Sequence, residues 1–183
     1  MHRIGLAVVV AILLSATTGV AQGVRFGGGA GVLLPVGDYH SLDKPGWIAG
    51  ADITYWFSSG TIAIRAEGSY SRTNGRTGSC CVPGRKTAFA GGMVDVVYAF
   101  GRTADRIRPY VLAGVGLYNV RFSAPGFTPS SDTKLGFGGG AGVAYRVGTG
   151  STRVFLESKV TDVTSGVDLV SVPIRVGLRF GAK

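Results

Sequence analysis

The chain is poor in the residues that most often carry chemistry. Its 183 residues include only two cysteines and two histidines. The cysteines are adjacent, at Cys80 and Cys81, and His2 is distant from His40, so no cluster has metal-ligand spacing. No Gly-x-Ser-x-Gly elbow is present, and no Gly-Lys-Ser/Thr follows any glycine run. The expectation is therefore no metal and no cofactor. Charged residues make up only 16% of the chain against 45% hydrophobic. Long apolar runs are also missing: beyond Ala21 no stretch of about 18 apolar residues could form a membrane-spanning helix.

The one apolar run lies at the start. In MHRIGLAVVVAILLSATTGVAQ, a basic residue, Arg3, precedes the apolar stretch Ile4–Leu14, and small residues follow up to Ala21. The run is about 11 residues, too short for a helical anchor, and reads as a secretory signal peptide over 1–21. The mature domain is expected over 22–183, outside the cytoplasm. Net charge is +9, and the basic residues are spread along the chain. In an exported protein this favours anionic lipid or lipopolysaccharide as partner and speaks against nucleic acid.

Glycine is abundant, with 31 residues. FGGGAGV occurs twice, as Phe26–Val32 and Phe137–Val143. Neither copy has the glycine spacing of a dinucleotide-binding loop, because the third required glycine falls on Val32 or Val143. Glycine inside a strand marks a bend or a close approach, and both copies read as a curved wall that makes space for large neighbours.

The apolar residues alternate. In Val172–Phe180 the even positions are large and apolar, and the odd ones are Pro173, Arg175, Gly177 and Arg179. Period two is the signature of a strand with two unlike faces. Similar segments give eight strands, over 24–34, 47–57, 61–72, 87–100, 107–122, 135–147, 153–162 and 169–180. In 107–122 the phase is less clear, with Arg121 expected on the polar side. The connections 35–46, 73–86 and 123–134 are long, 163–168 is a modest member of that set, and 58–60, 101–106 and 148–152 are short. Long loops on one rim and tight turns on the other are the layout of a membrane-spanning barrel. The expected fold is all-β: an eight-stranded antiparallel up-and-down transmembrane barrel, polar inside and apolar outside.

A soluble, lipocalin-like ligand-binding barrel is the alternative, with the faces reversed. Two features favour the membrane form. The polar faces carry Asp52, Glu67, Asp95 and Glu157 against Arg65, Arg146, Lys159, Arg175 and Arg179, a nearly balanced set that could pair inside a narrow barrel. The opposite faces carry Tyr55, Phe57, Tyr98, Phe100, Tyr145 and Phe180 near strand ends, which suits an aromatic girdle at a lipid interface.

With its leader, its strand–loop alternation, Pro109–Gly116 in the fifth strand and the terminal Val172–Phe180, the chain resembles the outer-membrane β-barrel domain family, the OmpA-, OmpX- and opacity-protein-like eight-stranded barrels. The resemblance implies a place in the outer membrane, the N-terminus on the periplasmic rim, a monomer, and Phe180 as the signal read by the barrel-assembly machinery. Here Gly181-Ala182-Lys183 follow that aromatic, a departure from the family pattern.

So small a barrel has no wide channel, which places function in the loops and points to structural and surface-interaction roles with an extracellular partner. A lipid A-modifying barrel enzyme is the second reading. By resemblance, its deacylating type uses a His-x-Ser pair; here His40 is followed directly by Ser41, and Ser131-Asp132 reverses the order of the palmitoyl-transferring type. The spacing Ser-x-x-Lys at Ser41–Lys44 and Ser131–Lys134 lies in polar loops, where a lysine stays protonated and makes a poor base. Cys80-Cys81 is expected to form a vicinal disulfide in loop 73–86, with free thiols or a bridge to another chain as the alternatives. Arg72, Arg76, Arg85 and Lys86 have no acid among them and read either as a lipopolysaccharide contact or as a solvated basic loop.

Overall fold

The computed structural model describes residues 23–76, 84–164 and 169–181. The leader, the Cys80-Cys81 pair and Ala182-Lys183 lie outside the described residues. Eight strands run in chain order: β1 (Val24–Pro35), β2 (Gly46–Trp56), β3 (Ile62–Asn74), β4 (Lys86–Ala99), β5 (Ile107–Ser123), β6 (Ser130–Arg146), β7 (Arg153–Val163) and β8 (Leu169–Gly181). Each pairs antiparallel with its sequence neighbour, and β1 pairs with β8 to close the barrel. The strand termini follow the expected ranges except on the long-loop side. There β6 starts at Ser130 instead of 135, because Ser130–Lys134 continues the ladder opposite Tyr118–Phe122. The third long loop is accordingly shorter than read from sequence.

Exposure alternates along the strands, most regularly in β3, β4, β5 and β7, and has the inverted sense. Val94 and Val96 are 54% and 57% exposed, whereas Asp95 between them is fully buried. Arg65 and Glu157 are each 1% exposed, while Leu117, Val160 and Val176 face outward. A soluble barrel would reverse this, so the lipocalin-like alternative fails. The outward aromatics gather toward the strand ends. Tyr55 and Phe57 meet edge-on at 5.5 Å between centroids and Tyr98 and Phe100 at 5.1 Å, at the short-turn end. Trp47 and Tyr70, 5.5 Å apart, lie at the long-loop end.

The phase of β5 corrects the sequence reading. Arg108, Tyr110, Leu112, Tyr118 and Val120 point inward, and Arg121 lies on the exposed outward phase with Val111, Val115 and Leu117. Both faces of β5 are largely apolar, so alternation of polarity did not reveal its phase.

The twin glycine segments occupy matching phases. Gly27, Gly29 and Gly31 face inward on β1, and Gly138, Gly140 and Gly142 do so on β6. Between them in the barrel stand β8 and β7. The register sets Gly27 opposite Arg179 and Gly31 opposite Arg175. It sets Gly140 opposite Lys159 and Gly142 opposite Glu157. A Cβ at Gly27 would come within 2.8 Å of Asp52 Cγ and 2.9 Å of Arg179 Cγ. One at Gly140 would strike the Ser158 carbonyl and come within 2.7 Å of Lys159 Cα. Each wall therefore supplies the room into which a long charged neighbour folds.

Candidate functional site: the charged waist and its two mouths

The interior is layered. Its waist holds four carboxylates, Asp52, Glu67, Asp95 and Glu157, and four cations, Arg65, Lys159, Arg175 and Arg179. Their charges cancel. Glu157 is the hub: it accepts from Arg65 Nη1 at 2.6 Å, Arg175 Nη2 at 2.6 Å, Arg179 Nη2 at 3.2 Å and Tyr110 Oη at 2.8 Å. Arg175 also reaches Glu67 Oε2 at 2.6 Å. Lys159 Nζ joins Glu67 Oε2 at 3.2 Å to Asp95 Oδ2 at 3.1 Å. Arg179 Nε spans both oxygens of Asp52 at 3.3 Å, and its Nη1 donates to Tyr110 Oη at 3.0 Å. Buried ions persist only when paired and hydrogen-bonded, and every member of this set is paired across the barrel from β2–β4 to β7–β8, although Asp95 Oδ1 is left without a partner.

Arg146 is the exception among the nine expected members. It lies at the short-turn rim, opposite Arg153, and donates to the Ala104 carbonyl in the turn between β4 and β5. Its phase is inward, but its height along β6 is that of the rim. Tyr110 was missed, since an aromatic in a membrane barrel reads as a lipid contact; here it lies 4% exposed inside.

Above the waist lies an apolar layer that includes Leu33, Phe89, Met93, Tyr118 and Val163. The first long loop seals it. A single helical turn, α1 (Asp38–Leu42), drops Tyr39 into the mouth at 1% exposure. Its hydroxyl lies 2.7 Å from Thr73 Oγ1, which donates to Asp43 Oδ2 at 2.6 Å, and its ring meets Phe89 edge-on at 5.8 Å. Burial pushes the Tyr39 phenol well above its ordinary range. Arg85 pairs with the buried Asp43 and donates to the Leu42 carbonyl at 3.1 Å. Arg76 Nε donates to the His40 carbonyl at 2.8 Å and its Nη2 meets His40 Nε2 at 2.8 Å. Arg76 and Arg85 are therefore structural braces of the plug. The sequence held no sign of this: Tyr39 sits in a polar loop without periodicity.

The same contacts bear on His40 and Ser41. Ser41 Oγ donates to the Asp38 carbonyl at 2.7 Å, and the His40 ring is matched to Arg76, so the two are not joined in a relay. Lys134 is paired with Asp132 at 2.5 Å and is not directed at Ser131.

Outside the barrel, the remaining cations form a patch. The ladder aligns Arg72 on β3, Ala88 on β4 and Arg121 on β5, and Lys86 lies one outward step above Ala88. Lys86 and Arg121 are exposed and Arg72 is half-buried. The small Ala88 stands among three outward cations, and Trp47 is in register with Arg72.

At the other end, Phe180 faces outward beside Phe26, its ladder partner, and β8 continues to Gly181. Over residues 4–180 the chain matches the family model of the outer membrane protein beta-barrel domain. The chain belongs to this family. Solved structures of similar fold include Neisserial surface protein A, at 18% identity and a TM-score of 0.68 over 88% of this chain and 99% of that one. The N-terminal barrel of Pseudomonas aeruginosa OprF aligns at 17% identity and a TM-score of 0.55, over 87% of this chain and 99% of that one. Ail, the attachment invasion locus protein of Yersinia pestis, aligns at 18% identity and a TM-score of 0.53, over 86% and 99%. No curated protein sequence matches the chain. The barrel is an integral protein of the outer membrane.

Proposed function

We propose that this outer-membrane barrel is non-enzymatic and acts at the cell surface through its long-loop rim, with lipopolysaccharide as its first partner. The observation that carries the reading is the outward trio of Arg72, Lys86 and Arg121 around Ala88, at the level where a long-loop rim meets the outer leaflet. Guanidinium and ammonium groups at that height suit the phosphates of lipopolysaccharide. The trio keeps two of the four cations singled out in the sequence; Arg76 and Arg85 are engaged in the plug. In this reading residues 1–21 direct export, the barrel-assembly machinery reads Phe180 across its three-residue tail, and the loop rim meets an extracellular partner. The neutral waist and the Tyr39 plug support a role other than diffusion.

The test uses the refolded mature barrel in nanodiscs with and without lipopolysaccharide. Arg72→Gln, Lys86→Gln and Arg121→Gln together are expected to weaken lipopolysaccharide binding by at least about a hundred-fold, each lost charged contact contributing about 1–3 kcal/mol. The folded band on unboiled gels should be unaffected. Unchanged binding would remove the reading. Altered lipid A on expression of the wild type, lost on His40→Ala, would replace it with the enzymatic one.

A further inference from the structure

The floor of the barrel, at the rim carrying both strand termini, has no role in the foregoing. Three arginines converge there on the inward phase: Arg25 on β1, Arg108 on β5 and Arg153 on β7. Arg108 and Arg153 are 2% and 3% exposed. Each spends one nitrogen on a turn carbonyl, Arg108 on Gly60 and Arg153 Nη2 on Thr103 at 2.7 Å. Three of their other nitrogens are unmatched. Arg108 Nε, Arg108 Nη1, Arg153 Nη1 and the Trp56 indole Nε1 are all buried without a hydrogen-bond partner. All four are donors, and all belong to residues lining one small cavity.

Charge points the same way. Among the described residues no carboxylate lies within 4.0 Å of Arg25, Arg108 or Arg153. The nearby Asp105 accepts instead from the Arg102 amide at 2.7 Å. Trp56 holds two of the guanidiniums by its faces, with Arg108 Cζ at 4.6 Å and Arg25 Cζ at 5.6 Å from the ring centroid. The arginines are thus oriented even though they repel one another. Buried donors require acceptors, and clustered buried cations require negative charge. Water would satisfy the first requirement only.

We infer that this floor is a binding site for a small oxyanion of the phosphate class, held by Arg108, Arg153 and the Trp56 indole N–H with Arg25 supplying further charge. Guanidinium forks suit tetrahedral oxyanions, which accept several hydrogen bonds at once. The cavity is narrow and walled by Ala99 and Ala144, which favours a free anion over a large ester.

The experiment uses the refolded mature barrel in detergent with Trp47→Phe, so that Trp56 is the only tryptophan. Inorganic phosphate is titrated at constant ionic strength, balanced with sodium chloride, while Trp56 emission and the melting temperature are followed. Saturable emission change and a raised melting temperature are expected with phosphate and not with chloride. Arg153→Gln should weaken the phosphate response at least about ten-fold, yet melt no lower than the parent without phosphate, because it relieves repulsion. Arg25→Gln serves as the second variant if Arg153→Gln does not fold. Glycerol phosphate distinguishes the source: weaker binding than inorganic phosphate marks a site for the free anion, and stronger binding a headgroup site. No saturable response, equal effects of phosphate and chloride, or a glutamine variant that titrates like its parent would overturn the site.

Discussion

Glu157→Gln tests whether the waist is a dry, charge-balanced network. Glutamine keeps the side chain's size but removes the charge that Arg65, Arg175 and Arg179 share. Four acids against four bases become three against four, and the waist is left with one uncompensated positive charge at a residue that is 1% exposed. Breaking a buried pair in this way costs about 3–5 kcal/mol. With a urea slope of about 2 kcal/mol/M, the unfolding midpoint falls by roughly 2 M. The assay is a urea titration of the refolded barrel, read as loss of the heat-modifiable band and of tryptophan emission. Adding Arg65→Met restores neutrality. Arg65 is the right partner to remove, because Asp52 keeps Arg179 at 3.3 Å and Thr54 at 3.0 Å. The double variant should recover at least half of the loss. A single variant within about 1 kcal/mol of the parent would show that solvent screens these charges as at a surface. A double variant less stable than the single would show that packing around Arg65 matters more than charge balance.

Three further outcomes follow from the geometry. Gly140→Ala, whose Cβ would collide with the β7 backbone, should lose about 1–3 kcal/mol or fail to fold, whereas Gly139→Ala, outward and 3.7 Å from its nearest neighbour, should stay near parental stability in the same urea titration. Tyr39→Phe removes the hydroxyl that meets Thr73 and should cost about 1 kcal/mol; Tyr39→Ala should in addition speed tryptic cleavage after Arg76 and Arg85, the two arginines that brace the plug, measured by mass spectrometry. Val94→Arg places a cation on the lipid-facing wall and should cost about 2–4 kcal/mol in lipid vesicles.

Much of the barrel was legible because period-two alternation states both the strand and its two solvents. Where one face was charged, as at Arg65 and Glu67 or Arg175 and Arg179, phase followed directly. It failed on β5, where Tyr110, Leu112 and Tyr118 inside are as apolar as Val111, Val115 and Leu117 outside. Phase alone also gives no height, which is why Arg146 was grouped with the waist although it sits at the rim. The plug was illegible for a different reason: Tyr39, Asp43 and Thr73 come together from separate segments, and no local pattern records a contact 34 residues apart. The floor arginines carry a weak signal, since Arg25, Arg108 and Arg153 each stand at the short-turn end of a strand, but only closure of the ring brings them to one cavity.

Closure has an electrical side. Strands β2–β4 contribute Asp52, Glu67 and Asp95 to the waist against Arg65 alone, while β7–β8 contribute Lys159, Arg175 and Arg179 against Glu157 alone. One half of the sheet is thus two charges negative and the other two positive, and the links between them span 64 to 127 residues of chain. A partly formed sheet entering the bilayer would carry two opposite, unneutralised halves, each costly in hydrocarbon. Only the docking of β8 onto β1 brings them together. The seam between the first and last strands therefore works as a checkpoint: a barrel that has not closed stays too polar to settle in the membrane, and one that has closed hides every one of those charges at once.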